Sequence, residues 1–414
     1  MSFRAPSGTE DILPDRVPLW LRVEETVRSL FGSYGYREFR PPLLEYTSLF
    51  HKSTGEVTDI VEKEMYTFGE GKNALSLRPE VTPSIVRALI EKGLFGQQRF
   101  WKTFYLGPAF RRERPQKGRM RQFTQLGVEA LGSTDPMLDA EVIRLYAHFL
   151  DELGVSNYKI RLNSIGCHSC RASYRDVLRK EITPHIGDYC QNCQTRLERN
   201  VFRILDCKGC REKTMKLPLA IDHNCTDCRD HFALVEKGLE GVSYTVDPHI
   251  VRGLDYYTRT VFEFTSDLLG AQDALAGGGR YDSLVKNMGG PDIGAVGFAA
   301  GVERLMLVLD ALGTNAEGVV PDFYVVAVDD SVRGEVFRIA NELRSKGLSG
   351  DLDFEGRSLK AQFRSANKFG ARYAVVVGPD ELSRGKVKLK NMFEKEEREI
   401  PVGELESGIV RLER

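Results

Sequence analysis

The sequence lacks any apolar run long enough to cross a membrane, and its charges balance almost completely. Residues 1–15, MSFRAPSGTEDILPD, mix charges with prolines and have no apolar stretch of the kind found in secretory signals. No other run approaches the ~18 apolar residues that a transmembrane helix needs. Because the formal net charge is only −1, any contact with nucleic acid must use a local basic surface. These features predict a cytoplasmic protein without membrane contact.

Two common nucleotide-binding motifs are also missing. The phosphate loop GxxxxGK[ST] does not occur in the sequence. The glycine run GGGRYD at residues 277–282 lacks the GxGxxG spacing and the strand–turn–helix context of a dinucleotide-binding fold, and we interpret it as a turn. If the chain uses ATP, other groups must bind the phosphates.

Cysteine is absent from most of the chain, since all eight cysteines lie in one segment. They form four CxxC pairs: Cys167/Cys170, Cys190/Cys193, Cys207/Cys210 and Cys225/Cys228. A disulfide framework is not expected in a cytoplasmic chain. Such pairs are typical of structural zinc ligands, and eight thiolates suffice for two tetrahedral sites. Reduced thiols without metal are the alternative, and three combinations of the pairs remain open.

The pattern along the chain predicts an α+β fold followed by a smaller α/β module. Helical periodicity at residues 17–33 and 135–153 alternates with strand-like segments, which include a hairpin at 100–130 and a strand at 243–251. Thr82 is the expected N-cap of a further helix, with Pro83 at its first helical position. The end of the chain alternates β-α-β-α-β, which is typical of helices packed on a central sheet. We therefore expect four segments, at residues 1–165, 166–240, 241–318 and 319–414.

A basic loop joins the two strands of the predicted hairpin. Residues 111–121, RRERPQKGRMR, contain six Arg or Lys and one Glu. Guanidinium groups bind phosphate oxygens well, although a solvated hairpin tip explains the loop equally well. In the strand that follows, Gln125, Gly127 and Glu129 share one side. This side predicts a polar cavity in which Glu129 accepts a hydrogen bond from a cationic or N–H-bearing substrate; a buried ion pair is the alternative.

Two further arginines lie beside glycines. Arg252 precedes Gly253, which permits close approach of a ligand to the backbone, and Tyr256 and Tyr257 can line a pocket while donating hydrogen bonds. Arg304 falls in the first turn of a predicted helix, where it can reach phosphates or stack on a base. Ordinary aromatic packing and a solvent-facing arginine are the alternatives.

The C-terminal module carries a local excess of positive charge. Residues 357–390 contain nine Lys or Arg and only two acidic residues. We predict a helix whose stripe of Arg357, Lys360, Arg364 and Lys368 binds RNA. An ordinary solvated helix face is the alternative.

Taken in order, these segments resemble a known family. Residues 104–129 resemble motif 2 of class II aminoacyl-tRNA synthetases, GFAAGVERL resembles motif 3, and YGYREFRPPLLEY stands in the place of motif 1. FRAPSGTEDILP, RPEVTPS, RPQKGRMRQFTQLGVE, RGLDYYTRTVFEF and AGGGRYD resemble the histidine-specific branch, the histidyl-tRNA synthetases. The resemblance implies a class II antiparallel sheet core with a helical, cysteine-rich insertion, followed by an α/β anticodon-binding domain.

The resemblance also implies a reaction and its substrates. Histidine attacks the α-phosphate of ATP, which is used with Mg²⁺, and the histidyl group then moves to the 3′ end of a tRNA. Arg111 holds the α-phosphate and Arg252 faces it from the opposite side, whereas Glu113 lies near the adenine and Arg304 holds the far end of the triphosphate. The residues implied to bind L-histidine are Glu80, Val81, Thr82, Gln125, Glu129, Tyr256, Tyr257 and Tyr281. A pocket that pairs both imidazole nitrogens rejects analogues that lack them.

Further contacts follow from the resemblance alone. Gln116 is implied to contact the tRNA acceptor end, the basic helix the anticodon arm, and motif 1 a second copy of the chain in a homodimer. Many members of the family lack the cysteines, so any Zn²⁺ is structural.

Two other functions remain open at this point. A regulatory subunit of ATP phosphoribosyltransferase resembles the same core but binds histidine as a signal; such proteins typically lack the C-terminal module. A zinc-stabilised RNA-binding protein without catalysis explains the cysteines and the basic helix, but it leaves the ordered pocket motifs unexplained.

Overall fold

The chain forms two compact units in a computed structural model that describes residues 3–54, 60–250, 256–316, 318 and 320–409. The N-terminal unit comprises Met1–Asn315 and the C-terminal unit Ala316–Arg414. Among the described residues, no helix is both long and apolar enough to span a membrane. The finer division into four segments stays a prediction.

A mostly antiparallel sheet organises the described part of the N-terminal unit. The strands of this unit are β1 (Arg37–Glu38), β2 (Leu44–Tyr46), β3 (Tyr66–Phe68), β4 (Leu75–Leu77), β5 (Trp101–Phe110), β6 (Gln122–Leu131), β7 (Lys159–Ser164), β8 (Thr245–Val246), β9 (Thr258–Thr265), β10 (Ala274–Arg280) and β11 (Ala295–Gly301). Eight of them form one sheet in the order β1-β5-β6-β11-β10-β9-β7-β8, in which only the outer pairs β1–β5 and β7–β8 are parallel. The antiparallel order β2-β4-β3 makes a second, small sheet. The predicted α+β class is therefore confirmed.

Helices cover the large sheet and build the insertion. They are α1 (Val17–Ser33), α2 (Thr47–Thr54), α3 (Thr82–Glu91), α4 (Leu94–Gln97), α5 (Pro136–Glu152), α6 (His168–Ile182), α7 (Gln191–Arg199), α8 (Phe202–Leu205), α9 (Arg211–Thr214), α10 (Thr226–Gly238), α11 (Leu284–Asn287) and α12 (Val302–Ala311). Helix α5 begins where predicted, because the Asp135 carboxylate accepts the Met137 N–H at 2.9 Å.

The core between helices and sheet is aromatic. Phe31 of α1 meets Phe104 of β5, Phe149 of α5 and Phe298 of β11 edge-on, with ring centroids 5.8, 5.6 and 6.1 Å apart. Along β6, Leu126 and Val128 are buried on this side of the sheet. The intervening residues of β6 therefore face the other side, which is where the candidate site lies.

Three local predictions were wrong. The GGGRYD run is not a turn, because residues 277–280 belong to the central strand β10; a Cβ on Gly278 would lie only 2.7 Å from the Phe298 Cβ. In the segment 243–251, described to residue 250, only Thr245–Val246 is strand. Thr82, expected to cap α3, is its first helical residue, and Val81 occupies the cap position.

A buried polar cluster joins β10 to two helices. Arg280 is fully buried, pairs with Asp139 of α5, and donates to the Ser133 carbonyl at 2.9 Å. His231 of α10 contacts the same Asp139 carboxylate at 2.9 Å. This cluster connects α10, the last helix of the insertion, to strand β10 of the sheet. The buried position of Arg280 is therefore accounted for by a role in folding.

The cysteine-rich insertion has its own small core. Its helices α6 to α9 pack around Tyr174, Leu178, Cys193, Leu197 and Ile204. A helical, cysteine-rich insertion is what the sequence predicts.

The C-terminal unit is an α/β module. Its strands are β12 (Phe323–Ala327), β13 (Gly350–Leu352), β14 (Tyr373–Val377), β15 (Lys386–Asn391) and β16 (Glu397–Pro401), and its helices are α13 (Arg333–Ser345), α14 (Leu359–Phe369), α15 (Pro379–Ser383) and α16 (Leu405–Gly408). The sheet order is β13-β12-β14-β15-β16, in which the first three strands are parallel and the rest antiparallel. The predicted β-α-β-α-β order is confirmed, and the closing hairpin β15–β16 extends it.

Candidate functional site

One cavity brings most of the predicted site residues together. It encloses about 980 Å³, including its open mouth, above the strands β6, β10 and β11. Its lining comprises Glu80, Thr82, Arg111, Glu113, Gly118, Arg119, Met120, Phe123, Gln125, Glu129, Tyr256, Tyr257, Ala274, Leu275, Ala276, Gly277, Tyr281, Gly297, Phe298, Ala299, Ala300, Gly301, Glu303 and Arg304. The cavity has a buried end, rich in acidic and tyrosyl groups, and an arginine end.

Glu129 is the centre of the buried end. Its side chain is 1% exposed, and the hydroxyls of Thr82 and Tyr281 each donate a hydrogen bond to it, one to each carboxyl oxygen. Burial raises the pKa of Glu129 to about 8, against the opposing effect of these two donors, and Glu80 adds to the rise. An N–H group of a bound ligand would favour the ionised carboxylate.

Glycines leave the space that this carboxylate occupies. A Cβ on Gly297 of β11 would overlap the Oε2 atom of Glu129, and a Cβ on Gly127 would come within 2.6 Å of the Tyr105 ring carbon that bears the hydroxyl. Side chains at these positions would therefore close the buried end.

Further polar groups surround the buried end. The Gln125 side-chain oxygen accepts the Val81 N–H at 3.1 Å, which leaves its amide donor for another partner. The Tyr256 hydroxyl donates to Glu80 at 3.5 Å. Val81 itself is fully buried among apolar side chains and does not line the cavity, so only its backbone contributes, by orienting Gln125.

Arginines gather at the other end of the cavity. Arg111 donates to the Pro79 carbonyl at 3.0 Å and lies over the Phe123 ring, 5.4 Å from its centroid. Arg304 donates to the carbonyls of Gly118 and Ala274 at 2.7 and 2.8 Å. Burial lowers the pKa of Arg304, and the neighbouring cationic arginines act in the same direction. An anion placed here relieves that repulsion between like charges.

The sequence analysis missed two residues of this end. Arg119 lines the cavity and pairs with Glu113 at 3.1 Å. Glu303 accepts the Thr124 N–H at 2.6 Å through Oε1, while its buried Oε2 has no hydrogen-bond partner among the described residues. Burial raises the pKa of Glu303 to about 7. An acid directly before Arg304 in the first turn of a helix was the available signal.

Besides Val81, two further predicted residues are not among those that line the cavity. Arg252 lies outside the described residues, so its role stays a prediction. Gln116 is exposed in the loop between β5 and β6, where its backbone pairs with that of Arg119.

The cysteines form two separate groups. Cys167, Cys170, Cys225 and Cys228 make the first cluster, and Cys190, Cys193, Cys207 and Cys210 the second; within each, all sulfur atoms lie within 4.8 Å of one another. All eight are free thiols. The first CxxC pair in the sequence thus combines with the fourth, and the second combines with the third. The sequence had left this combination open.

The geometry of both clusters suits a tetrahedral metal. Sulfur–sulfur distances are 3.6 Å for Cys167–Cys170, 3.9 Å for Cys170–Cys228 and 3.7 Å for Cys190–Cys207. A zinc–sulfur bond of about 2.3 Å implies about 3.8 Å between sulfurs in a tetrahedral site. Backbone hydrogen bonds from the Cys193 turn lower the pKa of Cys190 to about 7, and thiolate is the form that binds metal.

The predicted basic stripe is shorter than expected. Helix α14 begins at Leu359, so Arg357 precedes it, and its guanidinium pairs with Glu355 and donates to the Ser365 hydroxyl at 2.6 Å. Lys360, Arg364 and Lys368 are exposed on the helix, and no ion pair is formed by them within the described part of the chain. They remain a basic face of three residues.

Comparisons with known proteins agree with this geometry. Residues 8–305 match the family model of histidyl-tRNA synthetase, and residues 322–412 match the anticodon binding domain. The histidine–tRNA ligase of Halothermothrix orenii is 46% identical over 413 residues, covering 98% of both chains. That of Geobacter metallireducens is 46% identical over 390 residues, covering 93% of this chain and 94% of the relative.

A solved structure extends the similarity to the fold. The apo histidyl-tRNA synthetase of S. aureus superposes with a TM-score of 0.84 at 34% identity, covering 99% of this chain and all of that chain. Sequence and fold thus agree over nearly the full length, and the chain belongs to the histidyl-tRNA synthetase family.

Proposed function

We propose that the chain is an ATP-dependent ligase that activates L-histidine and transfers it to the 3′ end of its tRNA. The histidine carboxylate attacks the α-phosphate of ATP, forming histidyl-adenylate and releasing pyrophosphate. A ribose hydroxyl of the tRNA then attacks the histidyl carbonyl and releases AMP. Because this is a step of translation, the proposed location is the cytoplasm.

The observation that carries this function is the charge distribution along one cavity. Glu129 is held between Thr82 and Tyr281 at the buried end, where it accepts an imidazole N–H. Glu80 and Gln125 are placed for the histidine α-amino group, and Tyr256 and Tyr257 for the walls of the pocket. The imidazole is then recognised by hydrogen bonds that other amino acids cannot replace.

The arginine end supports the binding of ATP, which the family uses together with Mg²⁺. Arg111, Arg304 and Glu113 line this cavity. Arg111 would contact the α-phosphate, Arg304 the far end of the triphosphate, and Glu113 would lie near the adenine. Fixed positive charges in a partly buried site stabilise the phosphate charge that develops during adenylation. Arg252 is proposed to face the α-phosphate opposite Arg111.

The decisive test is pyrophosphate–ATP exchange with each of the twenty amino acids, on the wild type and on Arg252→Ala. Exchange with histidine alone, lost in the variant, is the expected result. Histidine binding without exchange would instead support a regulatory subunit. That alternative is not favoured, because the full-length relatives are ligases and the anticodon binding domain is present.

tRNA binding is proposed for two basic regions. Gln116, in the loop between β5 and β6, would contact the acceptor end, and Lys360, Arg364 and Lys368 of α14 the anticodon arm. Arg357 was predicted with them, although its local acidic partners reduce its contribution. Replacing a lysine that contacts phosphate should weaken tRNA binding and lower its salt dependence, as measured by filter binding across salt concentrations.

A homodimer is proposed from the small sheet. Leu43, Leu44 and Tyr46 of motif 1, with Phe68 and Leu75 on the neighbouring strands, are exposed apolar residues. Such a patch is typical of an interface. Sedimentation should show a dimer that Tyr46→Glu dissociates, while Leu234→Glu on the exposed face of α10 leaves it intact.

Structural zinc is proposed for both cysteine clusters. Each would hold one Zn²⁺ through four thiolates, which leaves no open position for a substrate. The metal would therefore contribute to folding of the insertion and take no part in the chemistry.

A further inference from the structure

The first cysteine cluster lies directly behind the histidine end of the cavity. Helix α6 begins at His168, between Cys167 and Cys170. Arg171, the residue after Cys170, donates to the Tyr257 backbone carbonyl at 2.6 Å. Tyr257 is also one of the residues that line the cavity. One side chain therefore connects the cysteine cluster with a wall of the pocket.

Two more contacts join residues at the start of α6 to the segments that carry the pocket tyrosines. The His168 imidazole hydrogen-bonds the Ser283 hydroxyl, two residues after the pocket residue Tyr281. The Gly166 carbonyl accepts the Arg259 N–H at 2.8 Å, two residues after Tyr257. The segments carrying both tyrosines are thus held by residues within one turn of the cluster.

The cluster itself is braced by its own backbone. Cys170 Sγ accepts the Cys225 N–H at 3.1 Å, and Cys228 Sγ accepts the Cys167 N–H at 3.2 Å. Such N–H donors orient metal-bound thiolates. A Cβ on Gly166 would overlap the Cys170 Cβ, so the backbone at Gly166 packs directly against the cluster. A zinc ion bound by all four sulfurs would join the Cys167–Cys170 turn to the Cys225–Cys228 turn more strongly than these N–H···S bonds and the sulfur–sulfur contacts of 3.6 and 3.9 Å do.

The second cluster offers a contrast within the same insertion. It belongs to the core of α6 to α9, where Cys193 and Cys210 pack against Leu197 and Ile204. Its cysteines, like those of the first cluster, do not line the cavity. A metal there would stabilise the insertion without touching the pocket.

We infer that a zinc ion in the first cluster fixes the start of α6, and that Arg171 transmits this order to Tyr257, so that metal occupancy sets the affinity for histidine. Arg171 is then a positioning residue, because it touches the backbone of a pocket residue and not the substrate. The catalytic readout of this inference rests on the function proposed above.

The first experiment removes one metal at a time from the full-length protein. Zinc content is measured by mass spectrometry for the wild type, Cys225→Ser of the first cluster and Cys190→Ser of the second. The wild type should hold one zinc per cluster, and each variant should lose one. In pyrophosphate exchange, Cys225→Ser should raise the KM for histidine about tenfold, because the hydrogen bond from Arg171 to the Tyr257 carbonyl is then no longer held in place, and by more than Cys190→Ser does. The KM for ATP should change by less than about twofold.

The second experiment isolates Arg171 with the metal in place. Arg171→Ala should keep full zinc and raise the KM for histidine about tenfold, the usual effect of losing a charge-assisted hydrogen bond. Arg171→Lys, which keeps one donor, should recover part of the affinity. Arg175→Ala, one turn further along the exposed face of α6, is the matched control and should behave as the wild type.

Either of two results would overturn the inference. One is an unchanged KM for histidine in Cys225→Ser after the zinc of the first cluster has been lost. The other is unaltered histidine affinity in Arg171→Ala, which decides the matter even if the cysteine variant fails to fold. Lack of exchange by the wild type would count against the proposed ligase instead, since calorimetric binding of histidine would still compare Arg171→Ala with Arg175→Ala.

Discussion

The two ends of the cavity handle charge in opposite ways. At the buried end, Glu129 is removed from water, which raises its pKa to about 8 and favours its neutral form. The hydroxyls of Thr82 and Tyr281 donate to it. At the arginine end, the charged side chains of Arg111, Arg119 and Arg304 lie near one another along the cavity. The buried end is thus suited to select a neutral side chain by hydrogen bonds, and the arginine end to bind a polyanion by charge.

The largest expected effect is at the arginine end. Arg304→Ala should lower kcat/KM for ATP in pyrophosphate exchange by about 10³-fold, since a positioned charge that stabilises the transition state is lost. The KM for histidine should change far less. Arg16→Ala is the matched control, because Arg16 pairs with Asp310 of the same helix at 2.7 Å but is exposed. Equal losses for both substrates would remove the distinction between the two ends.

The next effect is at the buried end. Glu129→Gln should raise the KM for histidine about 10²-fold and leave the KM for ATP nearly unchanged, because the acceptor of the imidazole N–H becomes an amide. Exchange assays over a range of histidine concentrations measure this. Glu240→Gln, at an exposed glutamate, serves as the control. A variant that binds histidine normally would contradict the role given to Glu129.

A glycine substitution tests how tightly the buried end is packed. Gly297→Ala should lower the free energy of unfolding by about 1–3 kcal/mol, because its Cβ would overlap the Glu129 carboxylate and the Val128 carbonyl. Gly301→Ala lies on the same strand, with nothing within 4 Å of its added Cβ. It should change stability by less than about 0.5 kcal/mol. Urea unfolding compares the two, and similar values would argue against close packing.

The last effect is a pH dependence of stability without ligands. The pKa of Glu129 is about 8 in the folded protein and near 4.5 for an ordinary glutamate. Between these values the folded state keeps a proton that the unfolded chain releases, so the free energy of unfolding falls as the pH rises. Glu129→Gln should therefore stabilise the ligand-free protein more at pH about 8 than at pH about 5.5. Tm measurements that show the same change at both values would contradict this.

Local sequence patterns predicted the helices and strands well wherever burial of one face sets the spacing of the apolar residues. Alternation placed a hairpin at residues 100–130, and strands β5 and β6 follow it. Buried residues at helical spacing gave α1 its observed bounds. These predictions succeeded because burial of one face acts on residues close in sequence.

Predictions failed where a distant neighbour decides. GGGRYD has the composition of a turn, yet its first four residues are strand, because its glycines fit between β9 and β11. Thr82 has the chemistry of a helix cap, but Glu129, far away in sequence, takes its hydroxyl. Arg357 has the spacing of the basic stripe, but acidic neighbours bind it before the helix begins. The chemistry of a side chain is compatible with several partners, and the tertiary structure determines which of them it contacts.

The sequence by itself determined the class of fold, the order of the family's motifs and the chemical types of the site residues, because these depend on periodicity and composition. Only the tertiary structure decided that the outer and inner CxxC pairs combine separately, that Glu129 is buried between Thr82 and Tyr281, and that Arg171 reaches Tyr257. Each of these depends on atoms that chain folding brings together across tens of residues, and their contacts leave no local pattern.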